Sequence, residues 1–434
     1  MSALSRAPGQ RGWCPGVRRP METGDGLLAR VHPPGGILTA AQARCLANAA
    51  AAHGNGLLDV TARGNVQIRG VHPARYEALL AALDAAGLAG PDRDGPPRLT
   101  LLSPFAGIDP DERIDARTLA ADIEHAGADI PGLPEKLCVA VDGGGLMPLA
   151  DAGVDILVAP ARGAPPVAIA LAGPNGPRAL GGTSCAGAPD AVRTILAGFA
   201  EMRRSGCTTA RRLRDLAPAL AAELAGAAGL APVEALSPRP AWPRAGLVDL
   251  RAYGAGLLLA LPFGRCAAGH LSSVAAWSES LGCGEVRPSL TRGFLLPGLT
   301  TSDARDLAKS AREAGFIVDP NDPRLSVAAC PGAPSCASAA APTPADAARL
   351  AEAARGMLAA GATLHVSGCL KGCAHPRRTD LTLVGGGDGR YGVVVGGTAR
   401  DPAETRLPLD GILALLRTLD ASDALLRAVR EACR

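Results

Sequence analysis

The decapeptide TARGNVQIRG, Thr61 to Gly70, decides how this chain is read, because it comes back. The stretch LTRGFLLPG, Leu290 to Gly298, has the same Arg-Gly turn and a β-type run after it, one residue shorter. Around the first copy, from Gly26 to Leu88, the order is strand, helix, two strands, helix. Thr39 with Gln42 makes a capping box, so the alanine-rich helix that follows starts there and ends near Gly54. LLDVT and NVQIRG are short β runs about the turn at Arg63-Gly64. PARYEALLAALDAAG has Pro near its start and Gly at its end, as a helix does. The same order returns from Gly246: GLLLALPFG, a helix over HLSSVAAWSESLG, then GEVRPSLTRGFLLPGL, and a helix over SDARDLAKSAREAG. On this alignment Arg63-Gly64 and Arg292-Gly293 occupy equivalent places, and the two regions are diverged copies of one unit.

Residues 96–230, between the copies, have the pattern of a mixed α/β segment. RLTLLSPFAG, KLCVAVDGGG, VDILVAP and PVAIALAG are its strand candidates, with helices over ARTLAADIEHAG and DAVRTILAGFAEMRRSG. A Pro-rich linker covers 231–245, and the second copy spans 246–320. A second α/β segment, 321–434, holds a capped helix from Thr343-Pro344 to Gly361, the strand ATLHVSG, and a hairpin whose Asp388-Gly389 suits a tight two-residue turn. With an N-terminal arm and first copy over 1–95, the order is A-B-A′-B′. A pseudo-twofold arrangement of that kind puts a cleft where the halves meet.

The composition of the 434 residues, 47% hydrophobic and 20% charged, is that of a globular protein of two or three domains. The N-terminus has no continuous apolar h-region and no run is long enough for a membrane span, so the expected location is cytoplasmic, with no membrane partner. A net charge of +3 does not demand a polyanion, and 3% aromatics are too few for stacking on single-stranded nucleic acid. Lys136, Lys309 and Lys371 are the only lysines. Nearly all positive charge is therefore arginine, which suits carboxylates and phosphates, although GC-rich codon usage explains the same bias.

Eight of the 12 cysteines (Cys14, Cys45, Cys138, Cys185, Cys207, Cys266, Cys283, Cys433) are scattered, each by default a small buried hydrophobe. The other four form two pairs: Cys330 and Cys336 in AACPGAPSCASA, Cys369 and Cys373 in HVSGCLKGCAHP. Four thiolates from two loops suit either tetrahedral zinc or an iron–sulfur cluster. Structural zinc favours two to four intervening residues, which the second pair satisfies and the first, with five, does not. The wide spacing and the Gly and Pro residues against the thiols favour the bulkier cluster.

This cysteine pattern resembles that of the nitrite and sulfite reductase superfamily, whose members hold a [4Fe-4S] cluster beside a tetrapyrrole. TARGNVQIRG, SPFAGIDPDE and LPEKLCVAV resemble that superfamily too, in its order, over almost the whole chain. The implied fold is α+β: two ferredoxin-like half-domain repeats combined with two α/β segments. Within the superfamily, CPGVRRPMETGDGLLARVHPPGG and GCAHP resemble the precorrin-3B synthases of aerobic cobalamin biosynthesis. There are two departures from the sirohaem reductases. Where they present a lysine pair, Lys136 is kept but the second position is Cys138; their arginine before the strand matches Arg98, and the following Asn is Leu99. Half of the equipment for protonating an oxyanion is missing.

The resemblance implies precorrin-3A and O2 as substrates, hydroxylation of the meso carbon between rings A and D, and closure of a γ-lactone by a ring A acetate. It implies a [4Fe-4S] cluster on Cys330, Cys336, Cys369 and Cys373, a mononuclear non-haem iron, and no sirohaem. With no nucleotide fingerprint in the chain, electrons come from an external NAD(P)H-dependent reductase or a ferredoxin. Arg63, Arg69, Arg98 and Lys136, with Lys371 beside the cluster, are the candidates for the substrate's carboxylates; Arg63 and Lys136 are also the catalytic candidates. Thr61 and Gln67 match polar positions of the superfamily turn. His365 and His375 are candidates for the second iron, with roles as donors to a cluster sulfur or as packed core histidines the alternative. Rival readings are a sirohaem-dependent nitrite or sulfite reductase, which would show a strong Soret band, and a non-catalytic electron carrier or zinc scaffold without tetrapyrrole affinity.

Overall fold

The structure is a computed structural model that describes residues 14–90, 95–173, 176–233, 236 and 242–418. Its first unit contains β1 (Met21–Thr23), β2 (Gly26–Val31), β3 (Leu38–Thr39), α1 (Ala40–His53), β4 (Leu57–Val60), β5 (Val66–Val71) and α2 (Tyr76–Ala85). The capping box forms as the residues dictate: Thr39 Oγ1 accepts from Gln42 N, and Gln42 returns an acceptor to Thr39 N. An α/β unit follows, with β6 (Thr100–Leu102), α3 (Ala116–Gly127), β7 (Val139–Val141), β8 (Ile156–Pro160), β9 (Val167–Leu171), β10 (Arg178–Thr183), α4 (Ala188–Arg204) and α5 (Pro218–Ala227). The expected linker falls partly outside the described residues. The part that is described lies along this unit, where Trp242 Nε1 donates to Pro148 O at 2.6 Å.

The second copy has β11 (Gly246–Asp249), β12 (Ala255–Ala260), β13 (Arg265–Ala267), α6 (Ala268–Leu281), β14 (Glu285–Ser289), β15 (Gly293–Leu299) and α7 (Thr301–Glu313). One constant offset in sequence superimposes the backbones of the copies. Gly35 and Phe263 both have φ 56°, Gly56 and Gly284 have 77° and 78°, and Gly54 and Gly282 end α1 and α6 with the same extended geometry. The same offset sets Gly64 (φ 63°) against Arg292 (φ 62°). The sequence alignment is thus corrected by one residue. The turns have equal length, Arg63 corresponds to Thr291, and Arg292 occupies the left-handed position that glycine fills in the first copy. The Arg-Gly identity misled because the shared turn requires a positive φ one residue before the glycine of the second copy.

The copies are not separate lobes. Their five-stranded sheets run β1-β2-β5-β4-β13 and β11-β12-β15-β14-β3, so each lends the other one short strand. Leu38 pairs with Val286 across this exchange, and Cys266 with Leu58. Helices α1 and α6 pack together over a single core containing Leu46, Ile68, Leu271 and Phe294. The last unit has β16 (Val327–Ala329), α8 (Thr343–Ala353), α9 (Arg355–Ala359), β17 (Leu364–Ser367), β18 (Thr379–Gly385), β19 (Arg390–Gly397), β20 (Thr405–Pro408) and α10 (Leu409–Leu416). It repeats the plan of the first α/β unit, three parallel strands continued by two antiparallel ones.

Two details differ from the sequence reading. The helix expected from Thr343 to Gly361 breaks at Ala354 into α8 and α9, and Thr343 is its first residue instead of its cap. The β18–β19 hairpin closes through three residues, with Gly386 N on Arg390 O and Gly389 at φ 73°, the geometry of a three-residue loop with its glycine left-handed. Among the described residues no helix is long and apolar enough to cross a membrane.

Because Leu38 is fully buried in the core that the two copies share, Leu38→Ala should cost about 2–5 kcal/mol. Chemical denaturation followed by fluorescence and by circular dichroism should still give one coincident transition for the two copies. Separate transitions would refute the exchanged-strand coupling.

Candidate metal centre and cationic recess

Strands β16 and β17 are parallel neighbours in register, Ala329 beside Val366, so the loops that leave their carboxyl ends emerge side by side. Cys330 begins the first loop and Cys369 lies in the second, and this is how pairs far apart in sequence come together. Gly368 N donates to Cys330 Sγ at 3.2 Å, and Thr343 Oγ1, 3.4 Å from that sulfur, donates to Cys330 O at 2.7 Å. The hydroxyl that the sequence offered as a helix cap is turned to the thiol instead. Lys371 Nζ donates to Ser338 Oγ at 2.9 Å and bridges the two loops. Cys330 is buried, Cys336 and Cys369 are half-buried, and Cys373 is exposed. The surrounding protein, then the negative fields of Cys369, Cys330 and Cys336, hold the Cys373 thiol above its usual range, so the four sulfurs share one neighbourhood.

A cradle of small residues surrounds them. A side chain at Gly368 would strike Ala339, and one at Gly24 would come within 2.4 Å of Pro334 O in the first cysteine loop. Among the described residues no group of three or more His, Cys, Asp or Glu side chains stands as a metal-ion site. Four thiols on two neighbouring loops, with Gly368 against the Cys330 sulfur, are a donor set that fits a polynuclear cluster, which takes one thiolate per iron.

Each copy of the repeated unit fastens one of the two loops. From the first, Arg69 is buried, pairs with Asp25 at 2.9 Å and with Asp59 at 3.7 Å, and donates Nη2 to Ser335 O between Cys330 and Cys336. Asp59 is held in turn by Arg265 at 2.6 Å, across the exchanged strand. From the second, Arg292 runs over Gly264 and donates Nη2 to Ala374 O at 2.6 Å, next to Cys373. Arg69 therefore does not stand in an open cleft as a carboxylate clamp, because its donors are committed inside the protein.

His365 and His375 lie with ring centroids 6.0 Å apart. His365 is fully buried, and burial, with the charges of His375 and Arg292, lowers its pKa to about 4. Burial first, then Arg377 and Arg292, lower that of His375. The charges acting on the pair are those of Arg292 and Arg377, and among the described residues no Asp or Glu joins the two rings in a three-residue metal site. The pair does not fit a 2-His-1-carboxylate iron site.

The substrate-side candidates stand on the polar face of the first sheet. Val31, Leu58, Val60, Val66 and Ile68 point into the shared core, and the alternate residues Arg30, His32, Asp59, Gln67 and Arg69 point the other way. Arg30 reaches Gln67, whose amide oxygen, once the amide is turned to face it, accepts from Nε and Nη2 at 3.2 and 2.9 Å. Arg63 donates to Gly153 O at 2.7 Å, and Arg98 to Pro33 O and Arg63 O at 3.1 and 2.9 Å. Burial, then the positive charges of Arg98, Arg30 and Arg63, hold His32 well below its usual range, so its imidazole is neutral among three guanidiniums. Arg30, His32, Arg63, Gln67 and Arg98 are each half-buried. Two hollows of ≈ 290 and ≈ 370 Å³ elsewhere, one lined by Cys266 and His270, the other by His53 and His72, include none of them.

Thr61 turns out to build the turn that presents Arg63: its hydroxyl accepts from Arg63 N and Asn65 N at 3.3 and 3.1 Å. Lys136 is exposed on the loop before Cys138, and Glu135 beside it takes Cys14 N at 2.7 Å and Arg19 at 2.8 Å. Burial raises the Cys138 thiol, and Arg63 and Arg98 oppose that shift. Cys138 N donates to the fully buried Asp155, which Arg212 holds at 2.6 Å. Sequence reasoning missed Arg30, His32, Asp155 and Arg212. The period-two alternation through GLLARVH would have found the first two; nothing local marks the buried pair.

A family model, the nitrite/sulfite reductase ferredoxin-like half domain, matches residues 19–86, the first copy. A precorrin-3B synthase from Sinorhizobium sp is 37% identical over 405 residues, 90% of this chain and 84% of that protein. A chloroplastic ferredoxin–nitrite reductase of Oryza sativa subsp. japonica is 41% identical over 97 residues, but these are 21% of this chain and 16% of that one. Among solved structures, the Mycobacterium tuberculosis NirA protein matches with a TM-score of 0.72 at 20% identity, covering 91% of this chain and 81% of its own, and shares the fold.

Two outcomes follow from the arginine anchors. Arg69→Leu leaves Asp25 without its buried partner and should cost about 3–5 kcal/mol in urea denaturation. Arg292→Gly keeps the left-handed backbone without its strain and removes the side chain with its guanidinium, so it should lower iron per anaerobically purified chain. Unchanged iron in Arg292→Gly would show that the second loop needs no anchor.

Proposed function

The chain belongs to the precorrin-3B synthase family, and on that premise we propose that it converts precorrin-3A to precorrin-3B in cobalamin biosynthesis, binding the tetrapyrrole in the recess of Arg30, His32, Arg63 and Arg98. One atom of O2 enters the meso carbon between rings A and D and the other leaves as water with two electrons and two protons; the ring A acetate closes the γ-lactone. A [4Fe-4S] cluster on Cys330, Cys336, Cys369 and Cys373, when bound, supplies single-electron transfer from an external reductase or ferredoxin. The ferredoxin-dependent nitrite reductases among the partial relatives support such a donor.

One observation carries the substrate reading. Three arginines converge on one face, and their hydrogen bonds go to the amide oxygen of Gln67 and to main-chain carbonyls, not to carboxylates. Guanidiniums held on neutral acceptors are ready to exchange them for anionic ones, with shorter and stronger bonds. A macrocycle fringed with carboxylates is the ligand that such a surface suits. Neutral His32 adds an acceptor without adding to the mutual repulsion of the arginines. Arg63, presented by the Thr61 turn and resting on Gly153 O, spans two units and orients the ring, and Lys136 at the rim meets an outer carboxylate. Cys138, in place of a second lysine, leaves this side without the cation that oxyanion reduction would use.

Arg63→Ala should weaken binding of the trimethylated macrocycle by about 10–100-fold, the worth of one charged hydrogen-bonding partner, with the visible spectrum of the cluster intact. Unchanged affinity would remove Arg63 from the recess. With ¹⁸O-labelled dioxygen, mass spectrometry of the product should show one added ¹⁸O atom. A purified protein with a strong Soret band that reduces sulfite or nitrite from reduced methyl viologen would overturn the assignment.

A further inference from the structure

His365 is the polar group that the structure leaves least accounted for. It stands on β17 between Leu364 and Val366, which point into the core of the last unit, so its ring emerges on the opposite face with Ser367. It is fully buried, and neither Nδ1 nor Nε2 has a hydrogen-bond partner. An orphaned buried polar atom is costly, and an apolar residue would fill a strand position without that cost. The ring edge, Cε1, lies 3.7 Å from where a side chain at Gly372 would begin, and Gly372 separates Cys369 from Cys373. The imidazole therefore lies against the thiol loop itself. His375 lies beside it, with ring centroids 6.0 Å apart, and the positive charge of Arg292 acts on both rings. Such surroundings accept an anion and repel a cation.

We propose that His365 donates a ring N–H to a thiolate or sulfide sulfur of the [4Fe-4S] cluster and so raises its reduction potential. The inference rests on the cluster reading given above. A donor aimed at sulfur stabilises the reduced state, the more negative of the two, and deleting it favours the oxidised one. His365 is a positioning and tuning residue; it moves no atom of the substrate.

Dye-mediated potentiometry followed by electron paramagnetic resonance, on the anaerobically purified full chain, tests this in wild type, His365→Leu and His365→Gln. The leucine variant should titrate at a more negative potential with the same iron per chain, and the glutamine variant, which keeps an N–H donor, should recover most of the shift. Equal potentials at equal iron overturn the proposal. Loss of iron from both variants with native circular dichroism also overturns it, because His365 then only supports the loop. A wild type without an iron–sulfur spectrum overturns the cluster reading itself, and this proposal with it.

Discussion

The guanidinium of Arg69 lies inside the protein, between Asp25 and Asp59, with one N–H on Ser335 O. A buried arginine of this kind is tolerated only when paired and hydrogen-bonded on every side. Those conditions tie three elements together: the β1–β2 turn that carries Asp25, the strand β4 that carries Asp59, and the loop between Cys330 and Cys336. Through Asp59 and Arg265 the network continues onto the strand lent by the second copy. Arg292 then does for the other thiol loop what Arg69 does for the first. The two thiol loops, brought together within their own unit, are thus also braced from outside it.

Duplication gives the molecule two equivalent sheets, and the face of the second that corresponds to the polar row of the first is mostly apolar, with Arg287 buried in it on Pro104 O and Ala106 O. In the second copy the positions of Arg30 and Gln67 are taken by Leu258 and Leu295. Both are buried with Phe105, Cys138 and Leu157 in a core that joins this copy to the first α/β unit. Filling that face with apolar side chains removes it as a binding surface and contributes about 25 cal/mol per Å2 of apolar area withdrawn from water. The family model matches residues 19–86, the copy that retained its polar row.

The parallel pairing of β16 with β17 explains why a thiol pair and its distant partner emerge together. Carboxyl ends of neighbouring parallel strands open to the same side, and a loop can leave each of them without crossing the other. Glycine at positions 24 and 368 then admits close approaches that a side chain would block. The same edge leaves His365 beneath the loop with its ring nitrogens unmet.

Much was legible in the chain itself, because local signals are local physics. The capping box at Thr39, the helix over Ala116–Gly127, the duplicated order of elements and the two cysteine pairs could all be read from spacing. The turn alignment was off by one residue, since an Arg-Gly identity outweighed a φ that no sequence displays. Thr343 reads as a cap in the sequence because its partner, Cys330, is distant along the chain. What only the tertiary structure decided was commitment. Arg63, Arg69 and Arg98 are the same residue type in similar strand and turn contexts, yet Arg69 is consumed by buried carboxylates while Arg63 and Arg98 rest on carbonyls. Charge and periodicity fix what a side chain can do; which donors remain available depends on the neighbours that folding brings, and those come from elsewhere in the chain.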